Sequence, residues 1–376
     1  MPYLIRGSLK DYDWGVVDGL APWFGDRTGG PQAELWFGAH PSGPAQLLTP
    51  HHAAAPLTDG ALSEPARTLA DVVDPSDVPL LVKILAAARP LSVQVHPHRE
   101  LAAAAFAAQA MPGAVQVYAD PYEKTELLLA LTPFTAFCGW RDVEDSCALL
   151  DGVPGSAPAI SALRSGDHRA AVRAVLAISD PDAALSALFA RTEHHSDAGV
   201  FRTVRAEFPA DRGALLLALL AVRELQPGDA VYVPAGVPHS YVRGTGVEVM
   251  TSSDNVVRLG LTSKAVFIEQ ALDALSETAH PTLLPRSQGW IRPTGAPFVL
   301  HTLDGVSELV VPSGAYRVVL ALRDTTMVDV SGATWSISTG QALTALVDED
   351  DLIVRTASAD SSAVIVTSVG DGEGLR

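Results

Sequence analysis

A histidine at position 239 is reached through the pattern G-x5-P-x-G-x2-H (Gly228, Pro234, Gly236, His239), a setting that suits a metal ligand. An apolar strand over residues 230–233 runs into a Pro/Gly turn that throws the imidazole back toward the sheet. One histidine cannot hold an ion, so the rest of the chain must supply partners. In Ser92-Val93-Gln94-Val95-His96-Pro97, strand alternation puts Ser92, Gln94 and His96 on one face and the two valines on the other. Two donors side by side, with valines packing behind them, are what a metal site in the lumen of a small β-barrel requires. Pro97 ends the strand. The alternative is a satisfied core histidine beside a surface glutamine. His98 has a suitable spacing but lies past the proline, and is expected at the surface. A carboxylate should complete the set. Residues 122–131 read as a strand with a polar entrance, on which Lys124 and Glu126 share a face; the competing reading is an exposed salt-bridging edge.

Gln94, His96, Glu126 and His239 together form a mixed nitrogen and oxygen donor set that suits one Zn2+ with an open position for water or substrate. Mn2+, Co2+ or Fe2+ fit the same donors. With one carboxylate against a divalent ion the site stays positive and favours an oxyanion, so its role is Lewis-acid polarisation of oxygen.

Further along, Glu248 stands alone among apolar residues on an expected strand. Burial would raise its pKa and suit it to shuttle a proton; a structural salt bridge is the competing reading. Asp254-Asn255 reads as a turn, after which Arg258 and Lys264 bring two cations into an acidic chain. Together with Lys83 they could bind a phosphate, unless they serve only at a helix C-terminus or on the surface.

The elements that must position these residues follow from texture. The chain has 376 residues, enough for two or three domains, with 48% hydrophobic and 18% charged residues, as in an ordinary globular protein. A formal charge of −17 argues against nucleic acid or an anionic membrane as partner. Its only lysines are Lys10, Lys83, Lys124 and Lys264, three of them close to the motifs above. No apolar h-region is visible over residues 1–15, and no uncharged apolar run is long enough to span a bilayer. Cys138 and Cys147 form neither a disulfide framework nor a CxxC pair, so a cytoplasmic setting is expected.

Residues 1–141 read as strands and loops forming the first part of a catalytic β-domain, with an alanine-rich helix over 100–112. Residues 142–225 carry apolar positions at helical spacing and read as a helical insertion, its last helix over 212–225. Residues 226–280 return to strands and close the catalytic domain, with a helix over 264–275. Past a Pro-rich linker, residues 281–376 read as a second all-β barrel whose turn over 338–344 lacks histidine, which marks it as structural rather than metal-bearing.

The half-motif at His239 resembles the second half of the cupin metal-binding motif. From near its N-terminus to Lys264 the chain resembles the type I mannose-6-phosphate isomerases, while the C-terminal part adds no motif. The matching stretches are Tyr12-Asp13-Trp14-Gly15, Ala33-Glu34-Leu35-Trp36-Phe37-Gly38-Ala39-His40-Pro41, Lys83 with Ser92 to Pro97, Lys124-Thr125-Glu126, Pro238-His239, and Ser253-Asp254-Asn255 through Arg258 to Lys264. Thr125 stands where the family often has proline.

This resemblance implies a mainly β protein of two cupin (jelly-roll) barrels plus a helical domain. It implies zinc on Gln94, His96, Glu126 and His239, and a substrate cleft lined by Ser92, Lys83, Lys124, Glu248, Asp254, Arg258 and Lys264. The implied reaction interconverts mannose 6-phosphate and fructose 6-phosphate through a cis-enediolate. Zinc and Arg258 would stabilise the oxyanion, Glu248 or else Lys124 would act as base, and Ser92, Lys83 and Lys264 would contact phosphate. The expected partner is the sugar phosphate alone, with the chain a monomer. Two competing classes are a non-catalytic metal-bound cupin that senses a sugar phosphate, and a metal oxygenase. Joint presence of Glu248, Lys124 and Arg258 argues against the first, and the histidine-poor donor set against the second.

Overall fold

The structure is a computed structural model that describes residues 1–48, 67–286 and 289–369. Parts of the expected first and last segments, residues 49–66, 287–288 and 370–376, therefore lie outside the described residues. The chain is mainly β-structure with one long run of helices. It divides into two compact units: Ala87–Gly246 with Ser253–Leu283, and Met1–Ala86 with Val247–Ser252 and Leu284–Arg376.

The first unit is built around a short strand, Val93–Val95, lying between Val257–Gly260 and the start of His239–Thr251. Val93 and Val95 are buried in the same hydrophobic core as the helices, together with Val257, Leu259 and Val242. Each buried valine contributes about 1.5–3 kcal/mol, and this holds the register. A slip of one residue would turn Gln94 into the core and the valines outward.

The helices behind this strand are Val143–Leu150, Ala157–Arg164, His168–Leu176, Pro181–Thr192 and Ala198–Glu207. Aspartates start several of them: Asp142 accepts from the amides of Glu144 and Asp145, Asp167 from Ala170 and Asp180 from Ala183. Such caps satisfy amides that have no partner within the helix. The alanine-rich helix expected over 100–112 spans Arg99–Ala108, with His98 as its N-cap accepting from the Leu101 amide.

Two helix expectations are corrected. Residues 212–225 are not one helix. Arg212–Ala218 forms a 3-10 turn and Leu220–Leu225 a strand that pairs antiparallel with Phe134–Trp140. Its leucines have helical spacing, but an open sheet edge beside them offers backbone partners, and tertiary pairing overrides local preference. The helix expected over 264–275 begins only at Ile268, after an exposed turn through Ser263 and Lys264.

In the second unit, Phe298–Asp304, Ser362–Ser368, Arg317–Arg323 and Gln341–Ala345 lie side by side in one sheet, and Ser307–Val311, Leu352–Thr356, Thr326–Val330 and Ala333–Ile337 make another. Both sheets feed a single core that includes Val319, Leu343 and Ile365 from the first and Val328, Val354 and Ile337 from the second. The N-terminal strand Tyr3–Arg6 joins this unit by pairing with Gln341–Ala345, whereas the sequence placed it with residues 1–141. Leu4 is an apolar residue of that same core, and its burial explains the docking. Elsewhere in this unit Ser8–Lys10, Glu34–Phe37 and Leu80–Ala87 pair antiparallel, with Lys10 opposite Glu34 and Trp36 opposite Lys83.

Candidate metal centre and the charges around it

Strand pairing assembles the expected ligands of the first unit. His239 is the register partner of Gln94, and on the other side of Gln94 the partner is Arg258. Residues directly opposite on neighbouring strands point to one face. Arg258, Gln94 and His239 therefore form a row on the face away from Val93 and Val95. Glu126 starts the strand Glu126–Ala130 opposite Val233. The Pro/Gly turn ahead of His239 is pinned in place, because the Gly236 amide donates to the His96 carbonyl at 2.9 Å. Gly236 has φ +84°, and an added Cβ would sit 2.6 Å from Ser276 Cβ, so this turn needs glycine.

His96, Glu126 and His239 are buried, and their donor atoms lie within 4.8 Å of one another, the one such group among the described residues. Each histidine has one nitrogen committed. His96 Nδ1 is 2.7 Å from the Asn255 carbonyl oxygen and His239 Nδ1 is 3.0 Å from that of Val237. A carbonyl only accepts, so both Nδ1 atoms carry the proton and both Nε2 atoms present lone pairs. His96 Nε2 lies 3.1 Å from Glu126 Oε1 yet has no hydrogen-bond donor, and His239 Nε2 lies 3.5 Å from Glu126 Oε2.

Lone pairs facing a carboxylate in a buried space repel unless a cation lies between them. Metal-bound histidines typically donate their other N–H to a carbonyl, as these do. Gln94 Nε2 is 3.1 Å from His239 Nε2; the amide orientation is interchangeable, and its oxygen can turn to the same point. The residues present thus fit a divalent ion with mixed nitrogen and oxygen donors.

Protonation states agree with this. Burial lowers the His96 pKa from the ordinary 6.5 to about 4, with the Glu126 carboxylate only partly offsetting it. Burial works against the ionised form of Glu126, but Lys124 and His96 outweigh it and hold the carboxyl well below the ordinary carboxylate range. Lys124 Nζ is 3.1 Å from Glu126 Oε1, and the Tyr241 hydroxyl donates to Oε2 at 3.3 Å.

A pH dependence follows. Between pH 6.5 and 4 the unfolded chain binds a proton that folded His96 refuses, so stability of the metal-free protein is full above pH 6.5 and declines toward pH 4. Glu126, also held low, adds its loss at lower pH. At about 1.4 kcal/mol per unit, His96 alone accounts for about 3 kcal/mol. Urea midpoints of chelator-treated protein at pH 7 and 4.5 are expected to show this drop, and His96→Gln to lack the histidine part of it. Equal slopes in the two proteins would show that His96 is not buried neutral.

Of the other expected residues, Ser92 is half-buried just before the Val93–Val95 strand, and burial lowers the pKa of half-buried Arg258. Asp254 and Lys264 are exposed, and His98 is exposed, as expected. Lys83 and Glu248 lie in the second unit, buried and paired at 2.8 Å. This ion pair with Lys83 fits the salt-bridge reading of Glu248 and is equally compatible with an acid–base role. Glu34, whose carboxylate accepts from Trp36 Nε1 at 2.6 Å, stands 4.0 Å from Lys83.

Sequence reasoning gave no role to Glu34, Tyr241, Asp120 or Asn255. Glu34 could have been noticed as a lone carboxylate in a strand of apolar residues, the same signal that marked Glu248. Nothing local marks the other three.

Comparison with known proteins is consistent with this geometry. Residues 3–143 match the family described as phosphomannose isomerase type I, catalytic domain. The mannose-6-phosphate isomerase of Escherichia coli (strain K12) is 32% identical over 291 residues, covering 73% of this chain and 74% of the relative. The human enzyme of the same name is 31% identical over 313 residues and covers 72% of each. A crystal structure of a mutant of phosphomannose isomerase from Salmonella typhimurium superposes with a TM-score of 0.82 at 25% identity, covering 98% of this chain and 100% of the other. A crystal structure of mannose 6-phosphate isomerase bound with zinc and yttrium shares the fold, with a TM-score of 0.79 at 24% identity over 98% of this chain and 100% of the other. No helix among the described residues is long and apolar enough to cross a membrane. With an identity of this level over nearly three quarters of both chains, the protein belongs to the type I phosphomannose isomerase family.

Proposed function

We infer that the chain is a zinc-dependent aldose–ketose isomerase that interconverts mannose 6-phosphate and fructose 6-phosphate. The observation that carries this is the pair of buried imidazole lone pairs aimed at an ionised carboxylate, with Gln94 and Arg258 in the same strand row. Gln94, His96, Glu126 and His239 hold the ion. When bound, zinc supplies Lewis-acid polarisation of a substrate oxygen.

The chain's own residues do the rest. Glu248 takes the C2 proton of the open-chain aldose. The electron pair left behind forms the C1–C2 double bond of a cis-enediolate, and the charge falls on O1. Arg258 stabilises that charge. After a proton passes from O2 to O1, the protonated carboxyl returns a proton to C1 as the ketone forms at C2, so no proton is lost. Lys83, paired with Glu248 at 2.8 Å, contributes to phosphate binding. Lys124, beside Glu126, is the alternative base. Ser92, Lys264 and Asp254 bind the sugar phosphate.

The finer architecture is proposed on the same footing. Residues 1–141 apart from the first strand and residues 226–280 form a catalytic cupin barrel interrupted by the insertion 142–225. Residues 281–376, with Tyr3–Arg6, form a metal-free cupin-like barrel. A monomer is the simplest assembly, because one chain supplies every proposed ligand, and the free buried cysteines Cys138 and Cys147 fit a cytoplasmic setting.

An assay coupling fructose 6-phosphate formation to a dehydrogenase tests the reaction. Turnover of mannose 6-phosphate is expected to vanish on chelation and to return with added Zn2+. Chelator-resistant turnover, or binding of the sugar phosphate without turnover, would sink it; the second result is what a sugar-phosphate sensor gives.

A further inference from the structure

We propose that Asp120 and Asn255 form a clasp that sets metal affinity by fixing the ring of His96, a positioning role that rests on the metal site proposed above. The His96 imidazole takes its orientation from one bond, Nδ1–H to the Asn255 carbonyl at 2.7 Å. Where that carbonyl points depends on the backbone at residue 255, and the Asn255 side chain locks this backbone. Its Oδ1 accepts from the Ala119 amide at 2.9 Å and the Asp120 amide at 3.4 Å. Its Nδ2 donates to the carbonyls of Asp120 at 2.9 Å and Tyr122 at 2.8 Å and to Asp120 Oδ1 at 3.1 Å.

Asp120 closes the loop from the other side. Oδ1 accepts from the Ser253 hydroxyl at 2.9 Å and the Tyr122 amide at 3.0 Å, and Oδ2 accepts from the Asp254 amide at 2.8 Å. Two chain segments are thereby fastened together. One runs from Asp120 toward Lys124 and Glu126; the other runs through Asn255 to Arg258, which stands opposite Gln94. The clasp thus holds the acceptor for one ligand against the chain that delivers another. Asn255 and Ser253 are buried, so the bonds they lose cannot be replaced freely by water. Groups that orient a ligand from behind typically change metal affinity about 10–100-fold when removed.

The test uses the full chain, stripped and reloaded. Zinc dissociation constants are measured by competition with a chromophoric chelator, and the visible absorption bands of the Co2+-loaded protein report ligand geometry. Asn255→Ala and Asp120→Ala are expected to raise the zinc Kd about 10–100-fold and to alter the cobalt bands. Val328→Ala, a core truncation in the second unit, is expected to lower the melting temperature while leaving both at wild-type values. If Asn255→Ala does not fold, Asp120→Asn keeps the shape, loses the charge, and should still raise Kd several-fold, by roughly the lower end of that range. Melting temperatures that fall with Kd unchanged within about twofold, and cobalt bands identical to wild type, overturn the clasp. A wild-type chain that binds neither ion overturns the metal site itself, a distinct result.

Discussion

Glu126→Ala is expected to empty the metal site and to abolish isomerisation. Glu126 is the only carboxylate in the donor group, and its two oxygens face the two imidazole lone pairs at 3.1 and 3.5 Å. Without it the ion keeps only neutral donors, next to the Lys124 ammonium that Glu126 now neutralises. Lewis-acid polarisation is worth several kcal/mol, and about 1.4 kcal/mol is tenfold in rate, so turnover should fall by roughly 1,000-fold or more. Stability should fall too. Lys124 and Glu126 are both buried, and breaking a buried ion pair from one side costs about 3–5 kcal/mol.

The two effects separate in a double variant. Lys124→Met combined with Glu126→Ala removes the stranded ammonium and should recover much of the urea midpoint with no recovery of metal content. Metal analysis, the coupled assay and urea unfolding read the three outcomes. Stoichiometric zinc in Glu126→Ala would show that the ion sits elsewhere.

Glu248→Gln is expected to lower kcat by about 100- to 10,000-fold, the range for a positioned acid–base group, while zinc content stays at wild type. Glutamine keeps the shape and still accepts from Lys83 Nζ, which stands 2.8 Å from the carboxylate and has Glu34 at 4.0 Å. Folding should therefore survive, so a fall in kcat reports lost chemistry. A kcat near that of the wild type would pass the base to Lys124, and loss of zinc would mean that Glu248 supports the metal instead.

The extent to which the site was legible varies from residue to residue. Gln94 and His96 were readable because a strand has a period of two and the valines between them declare which face is buried. His239 was readable because a Pro/Gly turn restricts the backbone to few shapes. Glu248 was found as a carboxylate among apolar residues, but its partner was not. Lys83 was expected at a phosphate, and its pairing with Glu248 was not read, because which charges meet depends on strand register. The helix expected over 212–225 failed for the same reason, since the sheet edge at Phe134–Trp140 that it joins is far away in sequence.

By itself the sequence determined the expected donor types and the β-rich framework with a helical segment, because side-chain chemistry, strand alternation and turn geometry act over a few residues. The reaction class came from the resemblance of its ordered motifs to a known family. Tertiary structure alone decided that His96 exposes Nε2, since the carbonyl that binds its Nδ1 belongs to Asn255, 159 residues away. It also decided that Arg258 stands beside Gln94, and that Asp120 and Asn255 fasten the two segments behind the ligands. These facts depend on hydrogen bonds between residues far apart in the chain, and a bond of that kind exists only once burial has fixed the register on both sides.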